Sequence, residues 1–277
     1  MTPVPDRYAV IGHPVAHSLS PWIHAQFAQQ TGQSLIYSAI DVPSSELALR
    51  AREFFAQGGR GLNVTIPHKQ AVLALIDTLS ERARLAGAVN TIVREADQRL
   101  RGDNTDGVGF VRDLTLNLGL AVAGQRVLLL GAGGAARGLL GPLLALAPAE
   151  LHIVNRSPER SSALASAFAS HGRVHGSGFE ELRGFDYGLI INATAASLRD
   201  ELPALPAAAL SPTTVCYDLA YGGTPTRFVQ WARGRGAQRS YMGEGMLVEQ
   251  AAESYLLWRG MRPDTAAVLA QLRRSDL

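Results

Sequence analysis

The apolar run Arg126-Val-Leu-Leu-Leu130 passes directly into Gly131-Ala-Gly-Gly-Ala-Ala-Arg-Gly138. A short apolar strand, a glycine turn and a helix start in immediate succession point to an α/β domain with a buried parallel strand. A Cβ at the tight turn would hold the main chain away from a pyrophosphate, which is why glycines belong there. The helix beginning near Gly134 then aims unpaired amides and the positive end of its dipole at the anion. The spacing G-x-G-x-x-[GA] alone marks only a turn. With the strand and helix around it, the segment Gly131, Ala132, Gly133, Gly134, Ala135 reads as a dinucleotide-binding loop.

The following strand, Glu150-Leu-His-Ile-Val154, ends in Asn155-Arg156-Ser157-Pro158, with Arg160 close behind. In such a fold this strand end faces the adenosine ribose, and a carboxylate there would accept from a free 2′-hydroxyl. Here two guanidiniums and an amide stand in its place. Arginine makes forked, charge-assisted bonds to phosphate, so the pattern favours a 2′-phosphate and NADP over NAD. The alternative is an ordinary strand end with solvated arginines.

With 277 residues the chain can form two modest domains. A net charge of +2, with its lysines and arginines only in short clusters, gives no grip for nucleic acid. Cys216 is the only cysteine, which excludes an intramolecular disulfide and fits a reducing compartment; its setting, Thr214-Val-Cys-Tyr-Asp218, reads as a buried strand. No leader-like segment or membrane-length apolar run is visible, so a cytoplasmic protein is expected.

Strands are expected at 7–11, 34–42 and 61–66, with helices at 21–30 (capped by Ser20), 45–56 and 67–79. A hairpin follows at 90–94 and 99–101, then a helix at 106–118. A second series places strands at 126–130, 150–154, 186–191 and 214–219. Its helices fall at 134–147, bent in the middle by Pro142, and 158–170. Helices at 247–260 and 263–273 end the chain.

Four polar clusters precede the break in pattern at 104–109. His17-Ser-Leu-Ser-Pro21 sets Ser18 and Ser20 beside fresh helix amides, a place for a carboxylate, although Ser20 can equally cap the helix. In Asn63-Val-Thr-Ile-Pro-His-Lys69, alternation puts Asn63 and Thr65 on one face. Lys69 then falls in a first helical turn, where the dipole disfavours a cation; it is either solvated or used to move a proton. Ala88-Val-Asn90-Thr and Asp103-Asn-Thr-Asp106-Gly complete the set. Asp106 can cap its helix or, if near Lys69, share protons with it.

Together these clusters resemble the shikimate dehydrogenase family. The matching stretches are 17–21, 63–69, Gly87-Ala-Val-Asn90-Thr, Asn104-Thr-Asp106-Gly, 131–138 and 155–157. Tyr217-Asp218 with Tyr221 and Gly243-Glu-Gly-Met-Leu-Val-Glu-Gln250-Ala extend the match over nearly the whole chain, in the family's order. The resemblance implies an α/β fold of two domains with a cleft between them. Residues 1–106 plus 243–277 would form a substrate-binding and catalytic domain with a mostly parallel sheet, and 107–242 a Rossmann-type NADP-binding domain.

It further implies NADPH-dependent, reversible reduction of 3-dehydroshikimate to shikimate, in aromatic amino acid biosynthesis, by a monomer or homodimer without a metal. Lys69 and Asp106 would be the catalytic pair. Ser18 and Ser20 would hold the substrate carboxylate with Tyr221 beside it, and Thr65, Asn90, Asp106 and Gln250 the ring hydroxyls. The glycine loop would hold the pyrophosphate, and Asn155, Arg156, Ser157 and Arg160 the adenosine phosphate. Thr194, Gly243 and Met246 would lie toward the nicotinamide. The chain departs from the family at Ala195-Ala196 and at Arg227, both implied to line that side. Two other readings stay open at this point: an NAD-using quinate/shikimate dehydrogenase, and a catalytically idle NADP-binding regulator.

Overall fold

The computed structural model describes residues 4–182 and 186–274. The chain separates into two compact units, one of residues up to Gly109 together with Val248–Arg274, the other Phe110–Leu247.

In the first unit β1 (Asp6–Gly12) is buried from Tyr8 to Gly12 and pairs in parallel with β2 (Leu35–Asp41) on one side and β3 (Gly59–Val64) on the other. Helix α1 (Ser20–Thr31) joins β1 to β2, and α2 (Leu47–Ala56) joins β2 to β3. One face of the sheet, with Ala9, Ile11, Leu62 and Val64, packs on Leu47, Ala51, Phe54 and Phe55 of α2. Continuous apolar runs of this kind suit strands covered on both faces.

The helix expected over 67–79 does not form. The Lys69 carbonyl accepts from the Val89 amide at 2.8 Å, and Asp77 and Ser80 donate to Leu100 and Gly102. With those groups drawn into sheet contacts, the i to i−4 ladder cannot build. The segment is instead a turn, a short 3₁₀ stretch at Ala71–Leu75 and the two-residue strand β4 (Thr78–Leu79). A helix not expected from the sequence, α3 (Glu81–Ala86), follows, capped by the Ser80 hydroxyl. The expected hairpin forms as β5 (Thr91–Arg94) and β6 (Leu100–Asp103), giving the sheet order β2-β1-β3-β5-β6-β4. The β3–β5 and β5–β6 pairs are antiparallel and the rest parallel.

Helix α4 (Asp106–Arg112) continues as a π-turn over Asp113–Asn117. The second unit then builds β7 (Arg126–Leu130), α5 (Gly134–Leu144), β8 (Glu150–Val154), α6 (Pro158–Phe168) and β9 (Val174–Ser177). Next come β10 (Leu189–Asn192), β11 (Val215–Asp218), α7 (Arg227–Gly234) and β12 (Arg239–Tyr241). All pairs are parallel in the order β12-β11-β10-β7-β8-β9, the doubly wound arrangement of dinucleotide-binding domains. Helix α5 stops at Leu144, so Pro142 lies in its last turn and not at a mid-helix bend. Pro142 has no N–H to give the Gly138 carbonyl, so the helix forgoes that bond close to its end. Cys216 is fully buried in β11, and burial pushes its thiol up to about 12.

Helices α8 (Glu244–Arg259) and α9 (Thr265–Leu272) end the chain. Among the described residues no helix is long and apolar enough to cross a membrane.

Candidate active site

Lys69 Nζ donates to Asp106 Oδ2 at 2.6 Å, with side-chain exposures of 24% and 8%. Lys69 is in a turn and not in a helix, so no helix dipole acts against its charge. Its place is set by the turn after β3 and the Val89 bond. An ammonium has three N–H groups. With one on Asp106, the others are available to a ligand.

Asp106 begins α4, but its carboxylate does not cap the helix. The Asn104 side chain accepts from the Asp106 amide at 3.1 Å instead. The second Asp106 oxygen accepts from Asn90 Nδ2 at 2.7 Å. Asn90 Oδ1 accepts from the Thr105 amide at 2.8 Å and from Thr91 Oγ1 at 2.9 Å, which fixes the direction of the Asn90 amide. Gln250 Oε1 closes the cluster, 3.4 Å from Asn90 Nδ2. A Cβ on Gly109 would meet the Gln250 backbone, so this glycine lets α4 and α8 approach.

Ser20 was expected to cap α1. The cap position is Leu19 without a side-chain bond, and Ser20 is the first helical residue. Ser18 Oγ accepts from the Ser20 amide at 3.3 Å. The Ser20 hydroxyl does not cap the helix; it is buried and lies against the Tyr37 phenol. Thr65 is half-buried beside Gly12, where a Cβ would collide with its methyl.

Several residues here were not in the expected site. Asn63 Nδ2 faces Asn90 O, Thr91 Oγ1 and Ser254 Oγ at 3.0–3.1 Å, while its Oδ1 accepts from Tyr37 OH at 2.8 Å. His24 stacks on Tyr37 with centroids 4.1 Å apart. Alternation had put Asn63 on the Thr65 face; nothing in the sequence tied it to β2 or α8. Behind Asp106, Asp103 is clasped by Arg82, which also holds Glu253 at 2.9 Å. Burial pushes the Asp103 carboxyl up, but Arg82 and Ser80 outweigh that and hold it below the usual carboxylate range.

In the second unit the glycine loop follows the carboxyl end of β7. Gly131 has φ +101°, a left-handed conformation suited to glycine, and its Cβ position lies 3.1 Å from Ala193 O. Gly133 caps α5 with no side-chain bond, and among the described residues nothing beyond its own chain segment comes within 4 Å of where its Cβ would be. Free amides over an open concavity fit a pyrophosphate. The loops after β7 and β10 meet at the point where the strand order reverses, the usual ligand position of such sheets.

Asn155 Nδ2 donates to Ser157 O at 3.1 Å. Arg156 and Arg160 are exposed and make no direct ion pair among the described residues, although Arg156 lies near enough to Glu201 to help lower its carboxyl. Unpaired guanidiniums at this strand end fit a 2′-phosphate. Thr194 Oγ1 donates to Asn192 Oδ1 at 2.7 Å. Tyr221 lies in the loop after β11, 37% exposed, and Gly243 packs on the Leu219 carbonyl. Met246 sits in the first turn of α8. Among the described residues, no group of three or more His, Cys, Asp or Glu side chains could hold a metal.

A doubly wound sheet with an uncapped glycine loop, joined to a second α/β unit holding a lysine–carboxylate pair, defines a two-domain α/β protein of the dinucleotide-binding class. Three family models match it: the shikimate dehydrogenase substrate-binding domain at residues 10–92, shikimate/quinate 5-dehydrogenase at 115–199, and the shikimate 5′-dehydrogenase C-terminal domain at 243–273. The NADP(+) shikimate dehydrogenase of Methylococcus capsulatus is 56% identical over 97% of this chain and 96% of its own. That of Alkalilimnicola ehrlichii is 53% identical over 97% and 98%. The structure of shikimate 5-dehydrogenase from Thermus thermophilus in complex with NADP(H) and shikimate is 37% identical, with TM-score 0.85 over 97% of this chain and 99% of that one. The chain belongs to the shikimate dehydrogenase family.

Proposed function

We propose that this protein catalyses the NADPH-dependent, reversible reduction of 3-dehydroshikimate to shikimate, in the supply of aromatic amino acids. The unit holding Lys69 and Asp106 binds substrate, and the unit with the glycine loop binds NADP. The observation that carries the reading is the 2.6 Å Lys69–Asp106 bond, with ammonium hydrogens to spare and a carboxylate held by Asn90.

Ser18 and Ser20, with the α1 amides, take the substrate carboxylate, and Tyr221 lies beside it. Thr65, Asn90, Asp106 and Gln250 take the ring hydroxyls. The glycine loop holds the pyrophosphate, Asn155, Arg156, Ser157 and Arg160 the adenosine phosphate, and Thr194, Gly243 and Met246 face the nicotinamide. When bound, the cofactor supplies the hydride for the substrate carbonyl carbon. Lys69 Nζ stabilises the alkoxide oxygen that develops and gives it a proton, while Asp106 orients the ammonium. A cytoplasmic enzyme fits the free buried thiol, and the enzyme is taken as a monomer or homodimer.

The test is NADPH formation from shikimate and NADP+. Lys69→Ala should lower kcat by roughly 10²–10⁴, the usual contribution of a positioned acid, with a smaller change in shikimate KM. A variant that kept its kcat would refute the assignment. A wild-type chain that binds NADP+ yet never oxidises shikimate would refute the function.

A further inference from the structure

Asp113 and Tyr217 are buried ionisable groups that the proposed chemistry leaves unused, with exposures of 1% and 0%. Asp113 opens the π-turn that extends α4, a kind of helical irregularity often found at functional sites. Tyr217 OH donates to Asp113 Oδ2 at 2.6 Å, and Asn117 Nδ2 donates to Oδ1 at 2.9 Å. Phe110 packs edge-on against the Tyr217 ring, centroids 5.1 Å apart. A buried carboxylate is costly to keep, and an apolar pair would fill the same space more cheaply.

The pair faces the start of α8. A Cβ on Gly245 would collide with Asp113 Oδ1, so the carboxylate lies directly against the first turn. The Met246 amide is directed at the Tyr217 phenol oxygen. Two residues before Gly245, Gly243 packs on the Leu219 carbonyl just past the carboxyl end of β11. That is the edge of a doubly wound sheet where ligands lie. We infer that Asp113 and Tyr217 are a positioning pair, fixing the first turn of α8 and so holding Gly243 and Met246 against the nicotinamide half of a bound dinucleotide. The inference rests on the cofactor reading given above.

The experiment compares calorimetric binding of NADP+ with that of 2′,5′-ADP, which keeps the phosphorylated adenosine and lacks the nicotinamide. Tyr217→Phe preserves the ring and removes the hydroxyl. NADP+ affinity should fall about tenfold, the order set by one hydrogen bond to a charged group, with 2′,5′-ADP affinity unchanged. Gly245→Ala pushes the turn off Asp113 and should give the same split; it carries the test if Tyr217→Phe does not fold. Equal weakening of both ligands would mean general damage to the sheet and overturn the inference, as would no change in either. A wild-type chain that binds neither ligand would overturn the cofactor reading and this inference with it. A wild type that binds both, matched by its variants, overturns this inference alone.

Discussion

His24 makes the first unit sensitive to acid, and the size of the effect can be worked from its surroundings. The ring is 1% exposed, stacked on Tyr37 and set against the edge of Phe27, and neither nitrogen has a hydrogen-bond partner. Burial drives its pKa down from 6.5 to about 3, with the Asn63 side chain opposing slightly. The folded protein therefore keeps the imidazole neutral at pH values where the unfolded chain takes up a proton. Stability is full above pH 6.5 and falls as pH drops toward 3. At about 1.36 kcal/mol per unit, the whole drop comes to about 5 kcal/mol, of which about 2 kcal/mol is lost by pH 5.

Urea unfolding of wild type and His24→Phe at pH 7.5 and pH 5.0 measures this directly. Phenylalanine keeps the stack and cannot be protonated. At pH 7.5 the sign of its effect is set by two opposing terms, the removal of two unpartnered nitrogens and the added ring volume. The comparison between pH values cancels both. Relative to wild type, His24→Phe should gain about 2 kcal/mol on passing from pH 7.5 to 5.0. Parallel losses in the two proteins would refute the claim that a neutral His24 is what acid disrupts. The second unit has its own acid-sensitive group, His152, which burial and the neighbouring His175 lower to about 4. Unfolding of the first unit must therefore be followed by a probe within it, such as the fluorescence of Trp22 and Trp258 with Trp231 of the second unit replaced by phenylalanine.

Arg156→Ala should raise the KM for NADP+ about tenfold or more and leave that for NAD+ nearly unchanged, since one guanidinium–phosphate bond is removed. Steady-state rates with both cofactors decide this, and an equal change in the two would remove Arg156 from the 2′-phosphate site. Arg82→Met should destabilise the first unit by roughly 1.5–3 kcal/mol, because the buried Asp103 carboxylate loses its main guanidinium and keeps only Ser80, the Asn104 amide and Arg101 at 3.5 Å. Urea midpoints give the answer; a loss below 1 kcal/mol, the size of an exposed pair, would count against it.

The parts of the fold that could be read from sequence are those whose residues carry their own explanation. The run 126–130 and the glycines after it need no distant partner to be recognised, and the strand 150–154 repeats the pattern. Strands β9 and β12 were not anticipated: each is a short edge strand, and their residues Val-His-Gly-Ser and Arg-Ser-Tyr carry little β signal. Helix α7 went unrecognised for another reason. Its apolar face of Phe228, Val229 and Ala232 is only one turn deep and follows a Pro/Gly loop. The segment 67–79 misled because Val72, Leu73, Leu75 and Ile76 have helical spacing, while the backbone on either side of them is drawn off, Lys69 by Val89 and Asp77 by Leu100 of β6. The candidate site divides along the same line. Lys69 stood out as an odd choice for its position, for a reason the structure removes, while Asp106 could be read as an ordinary helix start. Tyr37 and Ser254 gave no signal and Asn63 showed only as a polar neighbour of Thr65, because what joins the three is the meeting of β2, β3 and α8.

The two loops that depart from the family pattern are tied down by side chains other than Ala195, Ala196 and Arg227. With Ala195-Ala196 no hydroxyl follows Thr194 directly, but Ser197 donates to Asp218 Oδ2 at 2.6 Å and accepts from Asn192 Nδ2 at 3.0 Å. Thr226 Oγ1 reaches the same Asp218 oxygen at 2.6 Å. A fully buried carboxylate at the end of β11 thus ties together the loop after β10 and the start of α7. Arg227 occupies the first position of α7, where proline would be preorganised, and Thr226 supplies the cap that secures the helix instead. The Arg227–Asp200 pair, 3.0 Å apart, is exposed on both sides, at 55% and 73%, so it adds little to that anchoring. The geometry of this edge therefore depends on Asp218, and the replaced residues lie outside the bonds that hold it.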